Sequence, residues 1–175
     1  MADVQGSARR HGITSTQTGA VGELMIAAGL IVASGGRLAP FKPVADDDGI
    51  DLLVYDKLTR QCAPLQVKSR TRGDGPGGRT VQFDVQRTTY SSIGGGLLLG
   101  AMIEGLELGW VWLVPMPVLD EIARKQERKL TMVASTVPDA SDRWAPYRHR
   151  NLASVAQQLL LHLQAQAGQP RAGCS

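Results

Sequence analysis

Two short stretches decide the fold: GIDLLVY at residues 49–55 and APLQVKS at residues 63–69. Both are apolar runs bounded by polar or turn-forming residues, a pattern that indicates buried β-strands. Successive side chains of a strand point to opposite faces, so we expect Gln66 and Lys68 on one face while their neighbours enter a core. If the two runs pair as a hairpin, Asp51 lies close to this pair near one end of a sheet. An acid, an amide and an ammonium group together suit a divalent metal ion and a phosphate.

Length, composition and charge limit the possible classes of protein. The chain has 175 residues and is 43% hydrophobic, which suits one domain with a core of its own. Its formal charge of +3 permits a nucleic-acid partner without requiring one. Cys62 and Cys174 match no metal-ligand spacing. Residues 1–17 lack the apolar stretch of a signal peptide, and the longest apolar run, Leu97–Ile103, is too short to span a bilayer. We therefore expect a cytoplasmic protein with no membrane partner.

The hydrophobic pattern predicts a mixture of helices and strands. We expect a flexible arm over residues 1–16, a single domain over residues 17–167 and a flexible tail over residues 168–175. The predicted helices are 17–33, 118–127 and 152–164, and the predicted strands are 50–55, 63–69, 80–87, 97–103, 110–114 and 130–135, with an extended segment at 37–44. Thr16 or Thr18 is expected to cap the first helix. This order favours a compact α/β or α+β domain.

Several polar side chains are placed to act on a phosphate. Glu23, on the first predicted helix, would add a second carboxylate to that of Asp51, directly or through water. Carboxylate oxygens suit Mg²⁺, and a bound metal ion polarises a phosphate and activates water. Lys68 would stabilise the developing charge or orient the attacking water. Ser69 and Arg70 follow directly and would contact a phosphate.

The segment after the second strand is basic and rich in glycine. Arg70, Arg72 and Arg79 stand against a single acid within residues 70–79. Arginine forks match phosphate geometry, so we expect these side chains to bind nucleic acid together with Ser69. An ordinary flexible loop has the same composition, and that interpretation stays open.

Two aromatic segments admit more than one interpretation. Residues 143–150 interleave arginines with Trp144 and Tyr147, as nucleic-acid-binding surfaces do, but a packed tryptophan with solvated neighbours explains them equally well. Trp110 and Trp112 share a strand face and are expected in a core or in an oligomer contact.

The order of these residues resembles the PD-(D/E)XK nuclease superfamily, the restriction-endonuclease-like group that includes Holliday junction resolvases and some homing endonucleases. The resemblance rests on Glu23 in an N-terminal helix, Asp51 on one strand and Gln66-Val67-Lys68 on the next, and it covers about residues 18–70. It implies an α/β fold with a mixed central sheet flanked by helices and an αβββαβ core. It also implies that Glu23, Asp51 and Gln66 bind Mg²⁺ or Mn²⁺, that Lys68 serves catalysis, and that DNA phosphodiester bonds are hydrolysed.

This sequence departs from the family pattern at Gln66, where the family carries an acid. A neutral amide is a weaker ligand for a hard dication, which favours an alternative: a catalytically inactive nucleic-acid-binding or assembly module of the same fold. A third possibility is a structural protein without a nucleic-acid partner. Such nuclease domains often act as homodimers, and the apolar hairpin predicted over Leu97–Val114 is a candidate interface.

Overall fold

The computed structural model describes residues 13–45, 48–71, 78–92 and 96–168. Within these ranges the helices are α1 (Ser15–Ala33), α2 (Arg87–Ser92), α3 (Met116–Ile122) and α4 (Leu152–Ala167), with a 3₁₀ turn at Ala145–Tyr147. The strands are β1 (Leu38–Phe41), β2 (Leu52–Asp56), β3 (Cys62–Thr71), β4 (Thr80–Gln86), β5 (Leu97–Glu104), β6 (Glu107–Pro115), β7 (Arg124–Lys125), β8 (Lys129–Ser135) and β9 (Arg148–His149).

A six-stranded mixed sheet forms the centre of the fold. Its strands lie in the order β1-β2-β3-β5-β6-β9. Strands β3 and β5 are parallel, whereas the other neighbouring pairs are antiparallel. The chain crosses from β3 to β5 through β4 and α2, so the central elements follow the order α1-β1-β2-β3-α2-β5. This is the predicted αβββαβ arrangement, and the predicted fold class is confirmed.

The two faces of the central sheet bury separate cores. Helices α1 and α4 cover one face, where Ile26 and Leu30 pack with Leu65 and Val67 of β3. A second sheet, in the order β4-β8-β7, covers the other face together with α3. Phe83 of β4 lies in this second core and alternates with polar neighbours, as its strand pattern predicts. Alternation reveals a half-buried strand but not its partner, so the sequence pattern does not predict the second sheet.

Helix α1 starts earlier than its apolar pattern indicates. Its N-cap is Thr14, and the predicted caps, Thr16 and Thr18, lie inside the helix. The side chains of Thr14 and Gln17 each accept a hydrogen bond from the backbone N–H of the other, which is a capping box. The prediction placed the start at Gln17 because the first turn carries no apolar residue to mark it.

The helix predicted over 118–127 is wrong at both ends. Helix α3 begins with Met116, and Pro117 is compatible with its first turn, where a missing N–H costs no hydrogen bond. The residues after α3 turn into β7, where Arg124 pairs with Thr131 of β8.

Strand β3 is longer than predicted. It pairs with β5 as far as Thr71, opposite Ile103, so Arg70 lies on a strand and not in the predicted loop. Arg72 lies outside the described residues.

Strands β5 and β6 form the predicted antiparallel hairpin. All residues of Leu97–Ile103 are buried, and Trp112 is fully buried against Phe83. Most apolar side chains of this hairpin therefore pack inside the chain, although Leu106 at its turn is 93% exposed. The dimer interface stays a prediction. Trp112 is a core residue, whereas Trp110 is partly buried and its Nε1 donates to the carbonyl of Thr136 at 3.0 Å.

Helix α1 is long and apolar enough to cross a membrane, by length and composition alone. Core helices of soluble proteins can pass the same test. In this structure Gly22, Ile26 and Leu30 of α1 are buried. The absence of a membrane partner stays a prediction.

Candidate active site

The pairing of β2 with β3 brings Asp51 to Gln66. Leu52 pairs with Leu65 in antiparallel register, so the residue before β2 lies across from Gln66. The Oδ2 atom of Asp51 accepts two hydrogen bonds, one from the Gln66 side-chain amide and one, at 2.6 Å, from the backbone N–H of Val67. The backbone N–H of Asp51 donates to the carbonyl of Leu65 at 2.9 Å. The carboxylate of Asp51 therefore continues the pairing with β3 just before β2 begins, as the hairpin prediction requires.

Gly49 allows the chain to turn into this position. Its φ of +70° lies in the left-handed region, which favours glycine. A Cβ atom on Gly49 would lie 2.4 Å from Oγ1 of Thr89 in α2. Any larger residue would therefore be strained and would also push α2 away from the start of β2.

Lys68 lies on the same face of β3 as Gln66, two residues further along. Its cross-strand neighbours on that face are Gly100 and Trp112. Phe83 packs over Gly100, where an added Cβ would lie 2.7 Å from the Phe83 ring. The partly buried Lys68 thus has apolar neighbours, and within the described residues no carboxylate lies within ion-pair distance of its ammonium. An ammonium without an ionic partner is available for an anionic ligand.

Glu23 occupies a different ion pair in this structure. Its Oε2 lies 2.6 Å from Nζ of Lys42, the residue after β1. The side chain of Glu23 is 19% exposed and that of Lys42 is 63% exposed, so the pair lies at the surface of α1. Glu23 would have to leave Lys42 before it could add its carboxylate to a metal site at Asp51.

The ligands available for a metal ion at Asp51 are few. Within the described ranges, no group of three or more His, Cys, Asp and Glu side chains lies close enough to hold a metal ion. Asp51 supplies one carboxylate, and Gln66 can supply an amide oxygen if its side chain rotates. This set fits Mg²⁺, which binds through one or two carboxylates and keeps several waters, but it predicts weak binding.

The predicted nucleic-acid contacts do not form one cluster. Ser69 faces α1 and is 6% exposed, whereas Arg70 reaches β4 and donates from Nε to the carbonyl of Gln82 at 3.2 Å. Arg79 is exposed just before β4, and Arg72 lies outside the described residues. Their roles in nucleic-acid binding stay predictions.

The basic and aromatic segment 143–150 packs against the rest of the folded chain. Trp144 is 2% exposed and lies in the second core. Arg148 stacks over the ring of Trp110, 4.6 Å from its centre, and donates to the carbonyls of Val137 and Pro138. These contacts favour the packing interpretation over a nucleic-acid surface.

Sequence reasoning missed the partners of the predicted site residues. Lys42 holds Glu23, Thr89 packs on Gly49, and Gly22 of α1 lies against Ser69. An advance signal was Gly22, one of three glycines in α1, because a glycine inside a helix can mark a close approach of another element.

The buried carboxylate of Asp56 has a structural role. Arg37 donates to both of its carboxylate oxygens at 2.7 Å, and Thr59 donates to one of them. The hydrogen bond from Arg37, supported by that from Thr59, holds the pKa of Asp56 well below its usual range despite burial. The pair ties the start of β1 to the end of β2, on the face opposite Gln66.

Comparison with solved structures supports the fold assignment. The structure is similar to that of a bacterial homing endonuclease, I-Ssp6803I, with a TM-score of 0.58 and 18% sequence identity over 87% of this chain and 96% of that one. A Holliday junction resolvase, Hjc, from the archaeal hyperthermophile Archaeoglobus fulgidus matches with a TM-score of 0.42 and 11% identity, over 73% of this chain and 96% of that one. No protein-family model and no curated protein matches the chain. The chain has the restriction-endonuclease-like fold, as its sequence predicts.

Proposed function

We propose that this protein is a metal-dependent nuclease that hydrolyses phosphodiester bonds within DNA. One observation carries the proposal: Gln66 is hydrogen-bonded to Asp51 at the end of the β2–β3 pairing, and Lys68 lies on the same face of β3 as Gln66. A carboxylate, an amide and an ammonium without an ionic partner are the groups that a cation and a phosphate need side by side.

Asp51 would hold the metal ion, with Gln66 as its second ligand. The Gln66 amide now donates its N–H₂ group to Asp51, so it would have to rotate to offer its oxygen. Glu23 would join after release from Lys42. A bound Mg²⁺ or Mn²⁺ would polarise the phosphate and lower the pKa of a water ligand.

Lys68 would act on the phosphate or on the attacking water. Lys68 is partly buried and pairs across the strands with Gly100, which in turn pairs with Trp112. A positioned positive charge stabilises the charge that develops on the phosphate oxygens. We assign DNA contacts to Ser69, Arg70, Arg72 and Arg79, and a homodimer would bring two such sites to two strands.

A second candidate is a nucleic-acid-binding or assembly module that lacks catalysis. The observation that favours it is that both candidate metal-binding carboxylates already have partners. Asp51 accepts hydrogen bonds from Gln66 and Val67, and Glu23 forms an ion pair with Lys42. A site with its acids already partnered has less to offer a cation.

Incubation with duplex, nicked and branched DNA in the presence of Mn²⁺ tests the first candidate. The native protein should cleave at least one substrate, and Lys68→Ala should lower the rate by about 10²-fold or more. Lys125→Ala is the matched control, because Lys125 lies on β7 of the second sheet and pairs with Asp120 of α3, outside the candidate site. Calorimetric titration with Mn²⁺ should give heat with the native protein and none with Asp51→Ala.

The two candidates give different results in these assays. No metal heat and no cleavage by the native protein would exclude the nuclease. Salt-sensitive binding of the same DNA under those conditions would support the non-catalytic module, because phosphate contacts release counterions.

A further inference from the structure

A cavity of about 170 Å³ lies between α4 and the β9 edge of the central sheet. Its apolar wall consists of Leu97, Leu113, Pro115 and Pro146. The two leucines belong to the core beneath α1 and α4. Gln66 and Lys68 lie on the other face of the sheet, in the rows of Leu98 and Trp112, which belong to the second core. The cavity is therefore separate from the candidate active site.

Four polar side chains complete the wall of the cavity and come from two directions. Gln158 and His162 lie one turn apart on α4, whereas Tyr147 ends the 3₁₀ turn and His149 lies on β9. His149 pairs with Val111 of β6, so its side chain shares the face that α4 covers. Among the described residues that line the cavity, none is an Asp, Glu, Lys or Arg. An apolar wall without a charged group favours an uncharged ligand.

The two histidines are suited to bind such a ligand through hydrogen bonds. Burial lowers the pKa of His149 and that of His162, so both imidazoles are neutral at neutral pH. A neutral imidazole has one N–H donor and one acceptor nitrogen. Gln166 donates from its side-chain amide to Nε2 of His162 at 3.0 Å, which leaves Nδ1–H of His162 as a donor. The pair of imidazoles therefore offers both donors and an acceptor.

The other polar groups of the cavity have no partner within the protein. In the part of the chain that the structure describes, no group forms a hydrogen bond with the hydroxyl of Tyr147, the ring of His149 or the side-chain amide of Gln158. Tyr147 and His149 are partly buried, and Gln158 is exposed at the mouth of the cavity. Partly buried polar groups are stabilised by a ligand that completes their hydrogen bonds.

We propose that this cavity binds an uncharged, planar heteroaromatic molecule of one or two rings, with the chemistry of a nucleobase. Its volume lies below the range of about 300–1,000 Å³ that accommodates drug-sized ligands, so the ligand is small. The leucines and prolines pack against the rings, and the polar side chains bind the nitrogen and oxygen atoms of the ring edge. This binding site does not depend on nuclease activity, and either proposal can fail without the other.

NMR spectroscopy of the histidine ring nitrogens tests the proposal on the intact protein, without metal. Titration with adenine and with cytosine should give saturable shifts of the His149 and His162 signals for at least one base, with a Kd of about 1 mM or tighter. His149→Gln and His162→Gln assign the two signals. Benzene is the apolar control and should bind at least about tenfold more weakly, because it leaves the polar groups unpaired.

Two conservative variants test the polar contacts. Tyr147→Phe removes only the hydroxyl, and Gln158→Leu replaces an amide by an apolar group of similar size. Each should weaken binding of the base by about fivefold to tenfold. Gln157→Leu is the matched control, since Gln157 is exposed on α4 and does not line the cavity, and it should bind as the native protein does.

A single-stranded oligonucleotide distinguishes the two sources of a base. If it shifts the same histidine signals at lower concentration than the free base does, the ligand is an unstacked base of a nucleic acid. If only the free base shifts them, the ligand is a small molecule. The absence of a saturable shift with any of these compounds at about 10 mM would mean that the cavity holds water alone, and would overturn the proposal. Equal binding of benzene and the bases, or native affinity in both Tyr147→Phe and Gln158→Leu, would also overturn it.

Discussion

The side-chain amide of Gln66 donates to the same oxygen of Asp51 that accepts the backbone N–H of Val67. The amide therefore fills the position at which the superfamily that the sequence resembles carries an acid. A carboxylate at Gln66 could not donate to Asp51 unless it were protonated. The amide thus stabilises the metal-free hairpin, and the same hydrogen bond competes with a cation for the carboxylate.

Gln66→Glu should lower the stability of the metal-free protein and raise its affinity for metal. Two carboxylates at this distance repel each other, so the free energy of unfolding in EDTA should fall by about 1–3 kcal/mol. With Mn²⁺ the added acid should bind the cation at least about tenfold more tightly than the native site does. Urea denaturation with EDTA or Mn²⁺, together with calorimetric titration, measures both effects.

Gln66→Met is the control for the lost hydrogen bond. It should lose stability in EDTA as Gln66→Glu does, but it should gain no stability from Mn²⁺. Equal responses of the two variants to Mn²⁺ would show that residue 66 is not a metal ligand.

Lys42→Ala should release Glu23 toward the metal site. The pair is exposed on the side of Lys42, so its loss should change the free energy of unfolding by less than about 1 kcal/mol. If Glu23 is a metal ligand, Lys42→Ala should bind Mn²⁺ more tightly in calorimetric titration, and Lys42→Ala combined with Glu23→Gln should lose that gain. Lys125→Ala releases Asp120 in the same way and should leave Mn²⁺ binding unchanged. An unchanged affinity in Lys42→Ala would remove Glu23 from the proposed ligands.

The pairing of Asp51 with Gln66, and the position of Lys68 on the same face of β3, could be predicted because both depend on local rules. Alternation along a strand puts Gln66 and Lys68 on one face, and a short connection makes the two apolar runs antiparallel neighbours. The pairing of Glu23 with Lys42 could not be predicted, since it depends on how α1 lies across the sheet relative to β1. Periodicity gives the buried face of a helix but not its position along the sheet.

The contact between α1 and β3 can be tested through two glycines of α1. An added Cβ at Gly19 would have no atom within 4 Å, whereas one at Gly22 would lie 1.8 Å from Oγ of Ser69. Gly19→Ala should raise the free energy of unfolding by about 0.5–1 kcal/mol, because alanine restricts the unfolded chain and favours the helix. Gly22→Ala should lower it by about 1–3 kcal/mol, because the helix must move off the strand. Urea denaturation measures both values.

Adding Ser69→Gly to Gly22→Ala should restore part of the lost stability, since it removes both the hydroxyl and the Cβ that obstruct the new methyl group. Equal effects of Gly19→Ala and Gly22→Ala would show that α1 does not approach β3 at Ser69.

The ion pair between Arg37 and Asp56 should control stability in acid. Asp56 is fully buried and accepts from both Nε and Nη2 of Arg37, so Asp56→Asn should lower the free energy of unfolding at neutral pH by about 3 kcal/mol. The folded pKa of Asp56 lies below the unfolded value of about 3.9. Its contribution is therefore complete above that unfolded value and is lost as the pH falls toward the folded pKa. Denaturation of the native protein and of Asp56→Asn over a pH series should show a difference in the free energy of unfolding that is constant above about pH 5 and shrinks in acid.

Asp120→Asn removes an exposed pair with Lys125 and should change stability by less than about 1 kcal/mol at any pH. A difference between native protein and Asp56→Asn that does not shrink in acid would mean that the ionised carboxylate is not what stabilises this end of the sheet.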